Sequence, residues 1–374
     1  MNQPVGVSAA AFFPWVSLIE PLRIGQSIRL LPYRTGKLPG PLPFADQDDI
    51  DRIFSAYSNR RNIGVAGATL LEVDEWNTGM EDINIRKRLL RARAVIGFAA
   101  LAKRRLFEGH FGYCCYDAYS LVVQRFRRGA AGDFAFTTRR RDGGLMSYWG
   151  ADDFAFQRPV HVDSRAQFDV DLDLARCLMD LPRDASSEIL EAISEFNSAN
   201  TDSADILEHV ELVMTKSAFE WLLGISEKST EFVRSLEESF RGLNHEIPKD
   251  GPLRSAWEVR FPKARTALEA WAREFCDLRG ASAHGKNRRA PRFVWRPRAH
   301  LAFASILFPL LVKKRLADAG HWRLAEIDAQ KLRQIESYLM DDPFLHDPAS
   351  RDSNPWSELD SLALTVAIAA KWKK

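Results

Sequence analysis

Cysteine is scarce, with four in 374 residues, at positions 114, 115, 177 and 276. No two form a C-x-x-C pair, and adjacent Cys114 and Cys115 lack the spacing that lets ligands close on one ion. Reduced thiols are expected, with no metal site and no cofactor. Long apolar runs are missing as well. The longest, "LAFASILFPLLV" at 301–312, is too short to span a bilayer and contains Pro309. The opening stretch "MNQPVGVSAAAFFPWVSLIEP" has no basic segment ahead of its apolar part and carries Pro14 and Glu20 within it, which argues against an export signal. A cytoplasmic protein with no membrane association is the expectation. Charge of one sign is lacking too: 52 Lys and Arg against 50 Asp and Glu leave +2, so nothing global calls for a polyanion. No internal repeat is evident.

What is present is the balance of a folded protein, 46% hydrophobic and 27% charged, at a length suited to one large domain or two ordinary ones. Two textures follow each other. Residues 1–185 are mixed: "SIRLLPY" (27–33), "SLVVQRF" (120–126) and "DFAFTTRR" (133–140) have strand character, and turn-rich "RRGAAGD" and "RRDGGLMSYWG" punctuate them. A helix is expected over about 81–107, and 167–182 turns helical before Pro182. From 186 the pattern is almost wholly helical, at about 203–223, 228–241, 263–278, 299–319 and 324–339. In the first of these, Ile206, Val210, Val213, Ser217 and Trp221 form one stripe, read as the buried face. The expected class is α+β: a mixed α/β domain at 1–185, a helical bundle at 186–345, and a loop and terminal helix at 346–374 that packs on the bundle.

Charge distribution says more than charge sum. No Asp or Glu occurs from Leu278 to Ala317, a stretch that holds Arg279, Lys286, Arg288, Arg289, Arg292, Arg296, Arg298, Lys313, Lys314 and Arg315, with Phe293 and Trp295 among them. Guanidinium groups interleaved with aromatics suit a phosphate backbone and stacked bases, so Lys286, Arg288, Arg289, Arg292, Trp295 and Arg296 are candidate RNA contacts. The plainer reading is a solvated basic face paired with acids elsewhere in the fold. A second acid-free run spans Ile83 to Phe107.

Within the first run lies "FCDLRGASAHGK", 275–286. An arginine followed by a histidine a few residues on is a weak motif alone; Arg105–His110 and Arg315–His321 fit it or a looser form. Context favours Arg279 and His284. Arg279 ends the helical segment "ARTALEAWAREFCDLR", the next four residues are small, and Gly285 permits a sharp exit. His110 reads as a core or strand-entry residue and His321 as a helix terminus beyond Gly320. On an unbroken helix, residues five apart differ by about 140° in direction and about 7.5 Å in height. Either the helix breaks between Arg279 and His284, or two chains share the site.

The chemistry of such a pair is specific. RNA carries its own nucleophile, the 2′-hydroxyl. Cleavage needs a base for its proton, an acid for the leaving 5′-oxygen and cations around the phosphorane. Histidine titrates near working pH and serves the first two, while arginine's planar fork grips phosphate oxygens.

The order of "LVMTKSAFEWLLG", a long helical spacer and "FCDLRGASAHGK" resembles HEPN domains, particularly their Apea-like branch, over about 200–320. The resemblance implies a helical bundle, commonly a homodimer, acting as a metal-independent endoribonuclease in toxin or anti-phage defence, with Arg279 and His284 catalytic. Glu220, on the earlier helix, and Ser282 are candidates for supporting positions. Where many members carry a polar residue after the arginine, this chain has Gly280. That departure keeps open an alternative, an inactive bundle that binds RNA, a nucleotide or a protein. Residues 1–185 would then sense a signal, regulate the bundle or position a substrate.

Overall fold

The computed structural model describes residues 7–374 apart from 39, 41, 43–44, 59–61, 75–82, 108–113, 128–133, 140–144, 151–155, 158–166, 204–205, 244, 285–292, 345–355 and 357–374. The elements in chain order are β1 (Val7–Phe13), β2 (Leu22–Ile24), β3 (Ile28–Arg34), α1 (Gln47–Ser55), β4 (Tyr57–Ser58), β5 (Gly67–Val73), α2 (Ile83–Lys103), β6 (Val122–Arg127), β7 (Phe134–Arg139), β8 (Leu145–Gly150), β9 (Phe156–Gln157) and α3 (Leu172–Asp180). They continue with α4 (Arg183–Ala199), α5 (Glu208–Leu223), α6 (Ser229–Ser239), α7 (Arg254–Arg260), α8 (Ala267–His284), α9 (Pro297–Asp318) and α10 (Glu326–Arg333). The class is α+β. Among the described residues, no helix is long and apolar enough to cross a membrane.

The chain divides into two compact units. The first comprises 1–100 and 114–180, the second 101–113 and 181–374. The expected boundary at 185/186 therefore moves to 180/181, and a short strap from the first half joins the second unit. The reason is local: Phe107 of the strap packs edge-on against Trp356, with ring centroids 5.5 Å apart. The terminal helix expected at 346–374 lies outside the described residues, apart from Trp356, which is buried.

In the first unit, seven antiparallel strands form a sheet in the order β2-β3-β5-β1-β6-β7-β8. β1 is central: Ala11 lies opposite Leu71 of β5 on one side and Val123 of β6 on the other. Ala9 to Phe13 are all buried, which is why this strand is continuously apolar instead of alternating. α1 is held at its start by Asp46, whose carboxylate accepts the Asp49 N–H at 2.8 Å. It lays Ile50, Ile53 and Phe54 onto the sheet, with Phe54 stacked on Tyr33 at 4.1 Å.

Among its described residues the second unit has helices and no strand. Its core is aromatic. Phe219 of α5 meets Trp271 and Phe275 of α8 and Phe308 of α9 at 5.3–6.3 Å, and Phe232 of α6 closes the cluster. Full burial of each such ring stabilises the fold by roughly 1.5–3 kcal/mol. The buried side of α5 is Leu212, Thr215, Lys216, Ala218, Phe219 and Leu222. The stripe read from the sequence is a different one: Val210 and Trp221 are exposed, and Ile206, Val213 and Ser217 are only partly covered. α5 is apolar on nearly every side, so periodicity did not single out the face that packs.

Candidate functional site

α8 begins where Thr266 accepts the Glu269 N–H at 3.1 Å and Glu336 accepts the Ala267 N–H at 3.0 Å, so its first orphan donors are satisfied. Its inner face carries Ala267, Ala270, Trp271, Phe275 and Leu278, all buried. The helix then continues through Arg279, Gly280 and Ser282 to His284. Of the two alternatives, the break in "GASA" does not occur, because alanine and serine are tolerated in helices and one internal glycine costs only about 1 kcal/mol. Arg279 and His284 therefore stand on different sides of one continuous helix.

Arg279 lines a cleft of about 620 Å³ with Glu188 of α4, Glu220 and Trp221 of α5, and the turn Gly224–Glu227. That turn is a Schellman cap. Gly224 is left-handed (φ 62°), and the Ile225 and Gly224 N–H groups donate to the Glu220 and Trp221 carbonyls at 3.1 and 3.4 Å. The cap fixes Glu220 and Trp221 on the last turn of α5 and folds Ser226 and Glu227 beside them. Ser226 is anchored in turn by Glu231, which accepts both its N–H and its hydroxyl.

Arg279 is 22% exposed, and its nearest counter-charge is Glu227, Nη1 to Oε2 at 3.7 Å. Its buried Nε has no hydrogen-bond partner. Each remaining carboxylate of the cleft has a cation of its own. Arg315 reaches Glu188 at 2.7 Å, and Lys216 reaches Glu220 at 2.9 Å. Lys216 is only 1% exposed and also lies 4.3 Å from the centre of the Phe232 ring. Beside them, burial pushes the Cys276 thiol up to about 11, which keeps it protonated and unreactive at neutral pH. None of the four cysteines forms a disulfide among the described residues: Cys115 is buried and the other three are half-buried.

The candidate residues separate as follows. Arg279 and Glu220 share the cleft. Ser282 lies on α8, half-buried. The His284 side chain, and Lys286, Arg288, Arg289 and Arg292 entirely, lie outside what the structure describes. Trp295 is a correction: it is buried, its indole N–H donates to the Leu339 carbonyl at 2.9 Å, and it cannot stack on a base. Arg296 is exposed and pairs with Asp342 at 3.5 Å. Of the two rival pairs, His110 lies outside the described residues. His321 is the cap residue after left-handed Gly320, its N–H donating to the Leu316 carbonyl at 2.9 Å, as expected of a helix terminus.

The acid-free run is not an unpaired basic surface in its described part. Arg279, Arg296, Arg298, Lys313, Lys314 and Arg315 lie within 2.6–3.7 Å of Glu227, Asp342, Glu208, Asp328, Asp318 and Glu188 respectively. In the second run, Arg91 donates to the Leu178 carbonyl at 2.9 Å, and Arg93 donates to that of Tyr119 while covering the Tyr116 ring.

One polar cluster was not anticipated. Glu274 of α8 is fully buried and accepts from the Val294 and Trp295 N–H groups at 2.9 and 3.0 Å. His300 Nε2 lies 3.0 Å from the same carboxylate, and Arg260 also reaches it at 3.0 Å. Burial pushes the His300 imidazole below its usual range, against the opposing pull of Glu274. This cluster ties the chain entering α9 to α8. Its signal in the sequence is a carboxylate set among Ala270, Trp271, Phe275 and Leu278 on an otherwise apolar face. Among the described residues, no group of three or more His, Cys, Asp or Glu is placed to hold a metal ion. No family model, curated protein or solved structure matches the chain.

Proposed function

We propose that the helical unit is a HEPN-like, metal-independent endoribonuclease whose site is completed by a second copy of the chain. The observation that carries this reading is Arg279. Its guanidinium faces an open cleft with one distant counter-charge and no hydrogen bond on its buried Nε. A guanidinium so placed is available to a phosphate, which offers the charge-assisted hydrogen bonds that Glu227 at 3.7 Å does not. Because α8 is unbroken through position 284, positions 279 and 284 lie about 140° apart around its axis. A two-fold pairing of helical units brings two histidines and two arginines to one scissile linkage, so one imidazole takes the 2′-hydroxyl proton while the other protonates the leaving oxygen. The first unit then serves as sensor, regulator or substrate-positioning element in a toxin or defence setting.

The paired cations of the acid-free run favour a second reading, a bundle that binds RNA, a nucleotide or a protein without cutting. Purified full-length protein incubated with total RNA in excess chelator separates the two. Fragments with 2′,3′-cyclic phosphate ends support cleavage; retention without fragments supports the second reading. His284→Ala is expected to abolish cleavage while circular dichroism and sedimentation velocity show an unchanged fold and dimer. Undiminished cutting by that variant rejects the assignment.

A further inference from the structure

Trp15, Trp257, Trp271, Trp295 and Trp356 are buried and Trp322 is half-buried, whereas Trp221 is 48% exposed. Its position is fixed, on the capped last turn of α5, and it lines the same cleft as Arg279. Exposing a large aromatic forgoes burial that the core of this unit takes from its other rings. The cleft supplies no aromatic partner for it among the lining residues, which otherwise offer Ile225, Gly224 and polar groups. An indole beside a guanidinium matches the two halves of one nucleotide, a base with a π-face and a phosphate. A volume of about 620 Å³ lies within the range of small-ligand sites.

Resting on the ribonuclease reading above, we infer that Trp221 is the stacking platform for an unpaired nucleobase whose adjacent phosphate is held by Arg279, so that the cleft selects single-stranded RNA. Stacking of this kind is indifferent to base identity, because every base has a face to offer, but it requires the base to be out of a duplex. The phosphate displaces Glu227, which is exposed and free to turn into solvent.

The test uses full-length protein carrying His284→Ala, so that RNA is held and not cut. Its partner is a fluorescein-labelled single-stranded oligoribonucleotide, or the same strand annealed to its complement, read by fluorescence anisotropy. The single strand is expected to bind more tightly than the duplex. Trp221→Ala is expected to weaken single-strand binding roughly five-fold or more, and Trp221→Phe, which keeps a ring, to retain most of the affinity. Equal binding of duplex and single strand overturns the inference, as does unchanged affinity in Trp221→Ala. A dimer that dissociates on Trp221→Ala in sedimentation while the affinity per folded chain is kept also overturns it, and gives Trp221 to an interface between copies. These results leave the ribonuclease reading intact if the native chain still cuts RNA and His284→Ala does not. Absence of both binding and cleavage in the native chain removes that reading, and the inference with it.

Discussion

Gly280 separates Arg279 from the rest of the motif, and replacing it tests the geometry of the site and the continuity of α8 together. The glycine lies inside the helix, and a Cβ added there meets nothing within 4 Å. Alanine therefore introduces no clash. It removes backbone freedom from the unfolded chain and should stabilise the helical unit by about 0.5–1 kcal/mol. For a unit of this size, each kcal/mol raises Tm by roughly 2–4 °C. Differential scanning calorimetry reads that shift, and single-turnover cleavage reads its effect on the chemistry. If Arg279 and His284 act within one chain, α8 must kink at Gly280, and the stiffer Gly280→Ala helix cuts more slowly. If two chains supply the groups, the helix stays straight in the working state and cleavage is kept. A lowered Tm would refute the continuity of α8 and the open space beside it. A raised Tm with cleavage lost several-fold would refute the two-chain site.

Two further predictions concern buried charge. Glu220→Gln leaves the Lys216 ammonium, 1% exposed over the Phe232 ring, without a counter-charge and should cost about 2–4 kcal/mol in urea unfolding. Lys216→Met keeps the volume, leaves the more accessible Glu220 to water and should cost markedly less; equal losses in the two variants would sink this account. For His300, the folded state holds the imidazole neutral while the unfolded chain takes up a proton near pH 6.5. Its contribution is thus present above about pH 6.5 and lost as pH falls, at about 1.4 kcal/mol per pH unit until the depressed folded value is reached. His300→Gln should remove that part of the slope in urea unfolding between pH 7.5 and 5.5, and a slope identical to the native chain's would rule the assignment out.

Elements that alternate or show helical period on one face were readable from the chain itself. β3, β6, β7, α2, α3, α5, α6 and α9 fall close to their expected positions, while α8 runs six residues beyond its expected end, α10 stops six short and α7 has no counterpart among the expected helices. β1 and β5 were missed for a physical reason. Both lie in the middle of the sheet, so "VSAAAFF" and "GATLLEV" are covered on both faces and carry no period of two. β8 reads as part of a turn-rich stretch, since Gly143 and Gly144 immediately precede it. The strap at 101–113 was invisible for another reason: α2 runs past the limit of the first unit without any change in composition. For the site, the sequence placed Arg279 and Glu220 on neighbouring helices, and α5 does pack on α8 through Phe219 and Phe275. It could not tell that Trp295 turns inward, because Arg292, Arg296 and Arg298 flank it, or that Trp221 turns outward, because α5 carries apolar residues on nearly every side.

The basic run shows most clearly where reading along the chain stops. Freedom from acidic residues between 278 and 317 is a statement about neighbours in sequence, whereas neutralisation is a matter of neighbours in space. Six of its cations find carboxylates, and only the Lys314–Asp318 pair lies within one helix turn. Those pairs are not equivalent. Arg298–Glu208 is exposed on both sides, and such a pair contributes at most about 1 kcal/mol, so an arriving phosphate can replace the carboxylate at little cost, whereas Arg296–Asp342 sets an exposed arginine on a buried carboxylate that would be left uncompensated. Lys313–Asp328 is buried on both sides, and removing one partner there would leave an uncompensated charge in the interior. The same run of positive residues therefore divides by depth into cations that an anion can claim and cations that hold α9 to α10. Arg279 belongs to the first kind by its long contact with an exposed glutamate, and its half-buried stem fixes where that anion must come.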